Sequence, residues 1–447
     1  MSKVEVNTIE PQCGTTLTLG ACGDTVALGS GAAQSGFGRT GTVDWDTSIK
    51  TGTVTAATGS GYFVDTTSGG ITVNLPAGVV GSIVAVSDYA STAASNNITV
   101  TPNGSEKING TNDDYTIQTA GLAVTLVYAD ATRGWKSVTG SDADATGVVP
   151  AYVAATGGTP CAGATSGDYK IHSFTGPGTL CVSSAGNGAG SNTIDYLVVA
   201  GGGGGGADYG GGGGAGGYRE SVPSPAAWTA SPIANPGNAR PVTVQGYPIT
   251  VGGGGTKGCG NNDAGGSGAA SSFSDIPSAG GGGGAAEGSS SLAGGSGGGG
   301  SYSDAGSAGN TPPTSPAQGF AGGSVPGPGA PGYQAAGGGG SSEVGESVPT
   351  PTTPVAGAGG DGGTTCISAS PTAYGGGGGG GGGNASPVTP GAGGAGGGGA
   401  GAVIAPGNAG TAGTTNTGGG GGGGNLYCWE GGAGGSGIVI IRYKFQN

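Results

Sequence analysis

The sequence predicts an all-β protein in three parts: a short-strand N-terminal stalk, a small β-sandwich, and a β-bracketed glycine-rich domain of packed polyglycine II helices. Three observations lead there. Gly supplies 116 and Pro 26 of the 447 residues, so almost every window of a dozen residues carries a helix breaker. Val, Ile, Thr and Tyr recur in short runs, many of them alternating, as strands require. The glycines themselves come in tracts, and an apolar strand-forming run stands at each end of the tract region.

Residues 1–50 form the attachment or stalk segment. Val4-Glu-Val6, Thr16-Leu-Thr-Leu19 and Thr25-Val-Ala-Leu28 are separated by turns at Cys13-Gly14 and Gly20 to Asp24. Strands this short cannot bury a core alone, which suits an intertwined multimer in which equivalent strands share one axis.

Residues 51–147 form the β-sandwich. Its expected strands are Gly61–Asp65, Ile71–Leu75, Ser82–Val86, Asn97–Thr101, Tyr115–Gln118, Leu122–Tyr128 and Arg133–Val138, with Trp135 closing the core. Turn signals such as Pro102-Asn-Gly104 recur about every 8 to 12 residues, the sandwich pattern.

Residues 148–447 form the glycine-rich domain. Strands within 168–200 and 438–445 bracket polyglycine tracts spread over 201–437. Composition alone favours a flexible coil for such a region. A coil needs no strand at each end, however, and pairing of the two brackets would close the region into one domain. The tracts are of comparable length, among them Gly211 to Gly217, Gly280 to Gly284, Gly375 to Gly383 and Gly418 to Gly424. Extended three-fold helices have no internal hydrogen bonds, so their amides must bond to neighbouring helices, and only Gly lets enough backbones approach. Collagen is excluded because Gly is not placed at every third position.

Charged residues are 8% of the chain and the net charge is −13. No basic stripe exists, which disfavours nucleic acid and anionic membrane surfaces as partners. No run approaches 18 apolar residues and the N-terminus lacks a secretory signal, so release without export is expected.

Chemistry is sparse. The G-x-G-x-x-G matches within the tracts carry no weight because no strand–helix unit follows them. One His and no C-x-x-C pair leave no zinc site. His172, beside Ile171, is expected to play a structural part. Cys161 and Cys181 flank a strand pair and are candidates for a disulfide. No catalytic residue, metal or cofactor is expected, and the protein is expected not to be an enzyme. Aromatic residues in the connectors are the candidate contacts instead, because rigid scaffolds present binding residues on loops. Trp228, Tyr247, Tyr302 and Tyr333, in the longer connectors, are the receptor-binding candidates. Tyr209 also falls beside a tract; for Tyr218, Tyr427 and Trp429, next to tracts or brackets, capping the bundle is the favoured role.

Asn7-Thr-Ile-Glu-Pro-Gln-Cys-Gly-Thr-Thr-Leu-Thr-Leu19 resembles the N-terminal segment of phage tail-fibre proteins. Asp195-Tyr-Leu-Val-Val-Ala-Gly-Gly-Gly-Gly204 and the ending Gly437-Ile-Val-Ile-Ile-Arg-Tyr443 resemble the same proteins. The tract region is similar to tail-tip adhesins whose glycine helices pack in a polyglycine II lattice and display receptor-binding loops. It departs from them in sharing a chain with a stalk. The resemblance implies a virion tail fibre, a homotrimer joined through its N-terminus to tail or baseplate proteins, which binds a host-surface glycan or protein. A structural filament or capsid-decorating protein is the alternative.

Overall fold

The computed structural model describes residues 43–138, 150–188, 190–326, 333–348, 354–383, 388–403, 405–426 and 430–446. The stalk strands expected before residue 43, with Cys13 and Cys22, lie outside the described residues, as do Tyr427, Cys428 and Trp429. The chain divides into two compact units, residues 1–149 and 150–447. Every regular element among the described residues is a strand.

In the first unit the chain alternates between two sheets. Strands β1 (Asp44–Lys50), β3 (Ser60–Val64), β5 (Ile83–Asp88), β8 (Ala123–Asp130) and β9 (Gly134–Ser137) make one sheet. Strands β2 (Val54–Thr55), β4 (Ile71–Asn74), β6 (Ile98–Thr101) and β7 (Tyr115–Ile117) make the other. The first three strands of each sheet run parallel, and the returning strands close each sheet antiparallel. Period-2 alternation puts Val73, Val84, Ile98, Val100, Ile117 and Trp135 into one core between the sheets, all of them buried. The sheet begins earlier than the sequence suggests. Residues 44–50, assigned to the stalk, pair with β3, and Trp45 stacks on Phe63 at 4.7 Å.

In the second unit, strands β10 (Val153–Thr156), β13 (Gly178–Ala185), β18 (Gly246–Thr250), β19 (Ser271–Phe273) and β20 (Ile276–Ser278) form a five-stranded sheet. It packs on a larger sheet of β11 (Thr159–Ser166), β12 (Tyr169–Phe174), β23 (Ile438–Lys444), β14 (Thr193–Val199), β15 (Tyr218–Val222) and β16 (Asn235–Pro236), with β17 (Arg240–Pro241) also on β14. A short hairpin, β21 (Gly363–Thr365) and β22 (Thr372–Tyr374), lies between tracts. The two bracketing strands pair directly: β14 and β23 run antiparallel from Asp195↔Arg442 to Val199↔Ile438. One face of this pair buries Ile194, Tyr196, Val198, Val439 and Ile441 against the five-stranded sheet. The other buries Leu197, Val199 and Ile440 with Tyr218, Ile367 and Tyr374. A strand buried on both faces reads as an unbroken apolar run, which is how both brackets appear in the sequence.

Between the brackets the backbone bonds to itself with a three-residue period. Gly201 and Gly204 donate to Ala269 and Gly266, Gly202 and Gly205 to Gly435 and Gly432, and Gly203 and Gly206 to Gly214 and Gly211, all at 2.8–3.0 Å. The same tract accepts from three further segments with the same period: from Gly281 and Gly284, from Gly255 and Gly258, and from Gly421 and Gly424. Six neighbours thus surround one tract, each turned toward it by every third residue. A Cβ on Gly203 would run into the carbonyl of Gly282, and one on Gly213 into the carbonyl of Gly203. Glycine is required here by closeness of approach.

Two expectations about single residues are settled by burial. Cys161 and Cys181 are free, exposed thiols on strands of different sheets, so they do not form the disulfide the sequence allowed. His172 is fully buried, with Nδ1 2.7 Å from the Gly157 carbonyl and Nε2 3.1 Å from the Tyr443 hydroxyl. Burial holds its pKa below the ordinary value. A neutral ring donating from Nδ1 fits this setting, and the role is structural.

Candidate binding surface at the tip of the glycine bundle

Tract 201–206 leaves β14, turns through Ala207-Asp208-Tyr209, and returns as 210–217 to β15. Hydrogen bonds place the loops at 259–263, 286–290 and 301–304 and the end of tract 418–424 at this same end: Asp263 accepts from Ala207, Glu287 donates to Asp208, Ser301 bonds to Tyr209, and Gly424 donates to Gly206. The bundle therefore has a sheet end and a tip.

The four aromatic candidates divide between these ends. Tyr247 lies on β18 and is 3% exposed, its hydroxyl accepting the Thr243 amide at 2.8 Å and its ring 6.0 Å from Phe273. It is a core residue, without a face for an outside ligand. Trp228 is half-buried, clamped between Tyr169 at 5.5 Å and the Arg442 guanidinium at 4.2 Å. Arg442 is fixed in turn by the carbonyls of Cys366 and Ile367 at 2.9 and 3.2 Å. Trp228 thus covers the sheet beside a buried polar group in which Tyr218, Thr365 and the Ser231 amide all donate to Glu220. Connector length did not distinguish these two sheet-packing residues from Tyr302 and Tyr333, which are half-buried elsewhere.

Tyr302 and Tyr333 meet at the tip. Their rings stack at 5.3 Å and 3°, and Tyr209 joins at 5.4 Å from Tyr333. Three connectors far apart in sequence deliver these rings. All three residues have positive φ, 56° at Tyr209, 55° at Tyr302 and 54° at Tyr333, and Asp208 has 39°. The turn at 301–304 is tight, with the Asp304 amide donating to the Ser301 carbonyl at 2.7 Å. Left-handed backbone strains any residue with a Cβ, by about 1–3 kcal/mol. In a chain so rich in glycine, tyrosine at three such positions marks side chains whose contribution outweighs the strain. Strain of this kind gathers at functional sites. Its sequence signal was each tyrosine's place at a tract end, too common among the connectors to single these three out.

Polar groups surround the cluster. Asp208 is 5% exposed and its Oδ1 has no hydrogen-bond partner; the Nε2 of Gln334, next to Tyr333 in sequence, is equally buried and unpartnered. Burial, followed by the charge of Glu287, raises the Asp208 carboxyl above its ordinary pKa. Beside it an open cleft of about 310 Å³ is lined by Glu287, Gly288, Ser290, Tyr302, Ser303 and Asp304. Among the described residues no cluster of three His, Cys, Asp or Glu side chains is placed to hold a metal ion.

A glycine-rich domain family model matches residues 187–444, which span both bracketing strands and every tract between them. The match covers more than half the chain, and the chain belongs to this glycine-rich domain family. No curated protein matches the sequence.

Proposed function

We propose that this member of the glycine-rich domain family is a virion tail-fibre adhesin, and that the tyrosine tip of its glycine bundle binds a host-surface receptor. The tracts act as packed polyglycine II helices, a reading supported by the three-residue hydrogen-bond period and the six neighbours of tract 201–206. The chain assembles as a homotrimer through its N-terminal segment, which joins it to the tail, and it works by binding rather than by catalysis. The observation that carries the reading is the set of Tyr209, Tyr302 and Tyr333, held at strained turns and stacked at the end of the bundle away from its own sheets. Stacked aromatic side chains on rigid turns make strong binding anchors, because little conformational freedom is lost on contact.

The test is binding of the labelled full chain to a panel of intact bacterial cells. Binding to a subset of the panel, cut by about tenfold or more in Tyr302→Ala and Tyr333→Ala with thermal unfolding unchanged, is expected. Binding unaffected by both substitutions would remove the tip from the reading.

A further inference from the structure

We propose that the second unit carries a binding site at its sheet end, independent of the tyrosine tip: a cleft in which Asp195 receives the hydroxyls of a neutral sugar ring. The cleft, of about 360 Å³, lies where β14 begins and β23 ends. Asp195 and Thr193 of β14, Lys444 of β23, Tyr169 of β12 and Asn192 of the loop before β14 are among the residues that line it.

The state of Asp195 points to a ligand. The residue is 6% exposed, yet only one of its carboxylate oxygens is bonded. Oδ1 accepts the Ser221 hydroxyl at 2.8 Å, and Ser221 in turn accepts the Tyr196 amide at 3.1 Å, which fixes how the carboxylate is turned. Oδ2 accepts from no described residue and is not sealed in, so it is the atom by which this nearly buried side chain reaches the cleft. The cross-strand neighbour Arg442 does not close on it. Its Nη1 donates to the carbonyls of Cys366 and Ile367 at 2.9 and 3.2 Å, and its guanidinium lies over the rings of Trp228 and Tyr169. A nearly buried carboxylate oxygen without a donor is costly, and a ligand hydroxyl supplies one.

The surroundings select an uncharged guest. Lys444 lines the cleft and the Arg442 charge acts on Asp195, so an ammonium group is repelled, while an anionic group meets the carboxylate. A ring bearing neighbouring hydroxyls avoids both conflicts. One hydroxyl donates to Oδ2 in a charge-assisted bond. The next accepts from the amide of Asn192, whose exposed side chain makes no bond among the described residues. The volume suits a single ring.

The experiment is calorimetric titration of the full chain with the methyl glycosides of glucose, galactose and mannose, and with glucosamine and glucuronate as charged counterparts. At least one neutral glycoside is expected to bind saturably, about tenfold or more tighter than either charged sugar. Asp195→Asn keeps the shape of the side chain and should weaken that binding about tenfold or more, and Asn192→Ala should weaken it severalfold, with thermal unfolding showing both variants folded. Affinity of the parent should also fall as pH drops through about 6, where the carboxyl that burial pushes up takes its proton, and Asp195→Asn should lose that dependence. The charged and titratable groups that face Asp195 are Arg442 and Lys444 of β23, Tyr169 of β12 and Glu220 of β15. No saturable binding of any neutral glycoside, tighter binding of a charged sugar, or binding that Asp195→Asn leaves unchanged overturns the proposal. Binding lost in Tyr302→Ala and kept in Asp195→Asn would place the sugar at the tip, which overturns this site and leaves the adhesin reading standing.

Discussion

The two units reach order by opposite means. In residues 43–138 side chains do the work: alternating strands turn Val, Ile and Leu into one core, and the backbone bonds within two sheets and the turns that join their strands. Around tract 201–206 of the second unit side chains are excluded, and the backbone bonds in six directions. In tract 201–206 each residue both donates and accepts. A net gain of about 1 kcal/mol per hydrogen bond only rivals the ordering cost of about 1–2 kcal/mol per residue. An isolated tract therefore stays disordered, and order depends on the lattice as a whole. The contrast teaches that a core can be made of peptide groups, provided something fixes the ends. Here the paired strands β14 and β23 do so.

The largest predicted effect is from Gly213→Ala. The new methyl meets the Gly203 carbonyl, with rigid backbone on every side, so a loss above about 4 kcal/mol or failure of the second unit to fold is expected. Leu126→Ala in the first unit leaves a cavity that neighbouring side chains partly fill, and about 2–5 kcal/mol is expected. Denaturant unfolding of each variant measures both. If the lattice tolerated Gly213→Ala better than the sandwich tolerates its cavity, the contrast would be lost.

The seam between the two kinds of core carries a smaller effect. Asp195 is 6% exposed; burial pushes its carboxyl up to about 6, with the Ser221 hydroxyl at 2.8 Å and then Arg442 pulling it back. The folded state therefore holds this proton more tightly than the unfolded chain. The stabilisation is fully present below about pH 4 and is lost as pH rises through about 6. Asp195→Asn should flatten stability across that window and raise it near pH 7 by about 2 kcal/mol. A pH profile identical to the parent's would show that the carboxylate is already compensated. The smallest effect is expected at Gly253, where an added methyl meets open space. Gly253→Ala should shift stability by less than about 0.5 kcal/mol, and thermal unfolding beside Gly213→Ala separates close packing from mere glycine content.

Much of this was legible in the sequence because strand signals are local. The runs at 61–65, 71–75, 97–101 and 122–128 each meet a strand of the structure, and the apolar brackets pair as their position implied. Strand β1 was missed because Asp44 to Lys50 is polar and largely exposed, held by backbone pairing with β3 and one aromatic stack. The tip was legible only in part. Tyr302 and Tyr333 stood out as connector aromatics, but their meeting with Tyr209 follows from tract register, which no local pattern encodes. Tyr247 and Trp228 look the same in sequence and are packed away, because the connector 219–251 supplies strands to the sheets and does not reach the tip.

Amide hydrogen exchange of the full chain, read across tracts 201–206 and 418–424 and across the strands of the first unit, tests the central claim most directly. If the tracts form a lattice, their glycine amides will exchange together and as slowly as the buried strands β14 and β23 that clamp them. Exchange at the rate of an unstructured chain, with β14 and β23 still protected, would mean that the brackets fold without the bundle and that the tip has no rigid base.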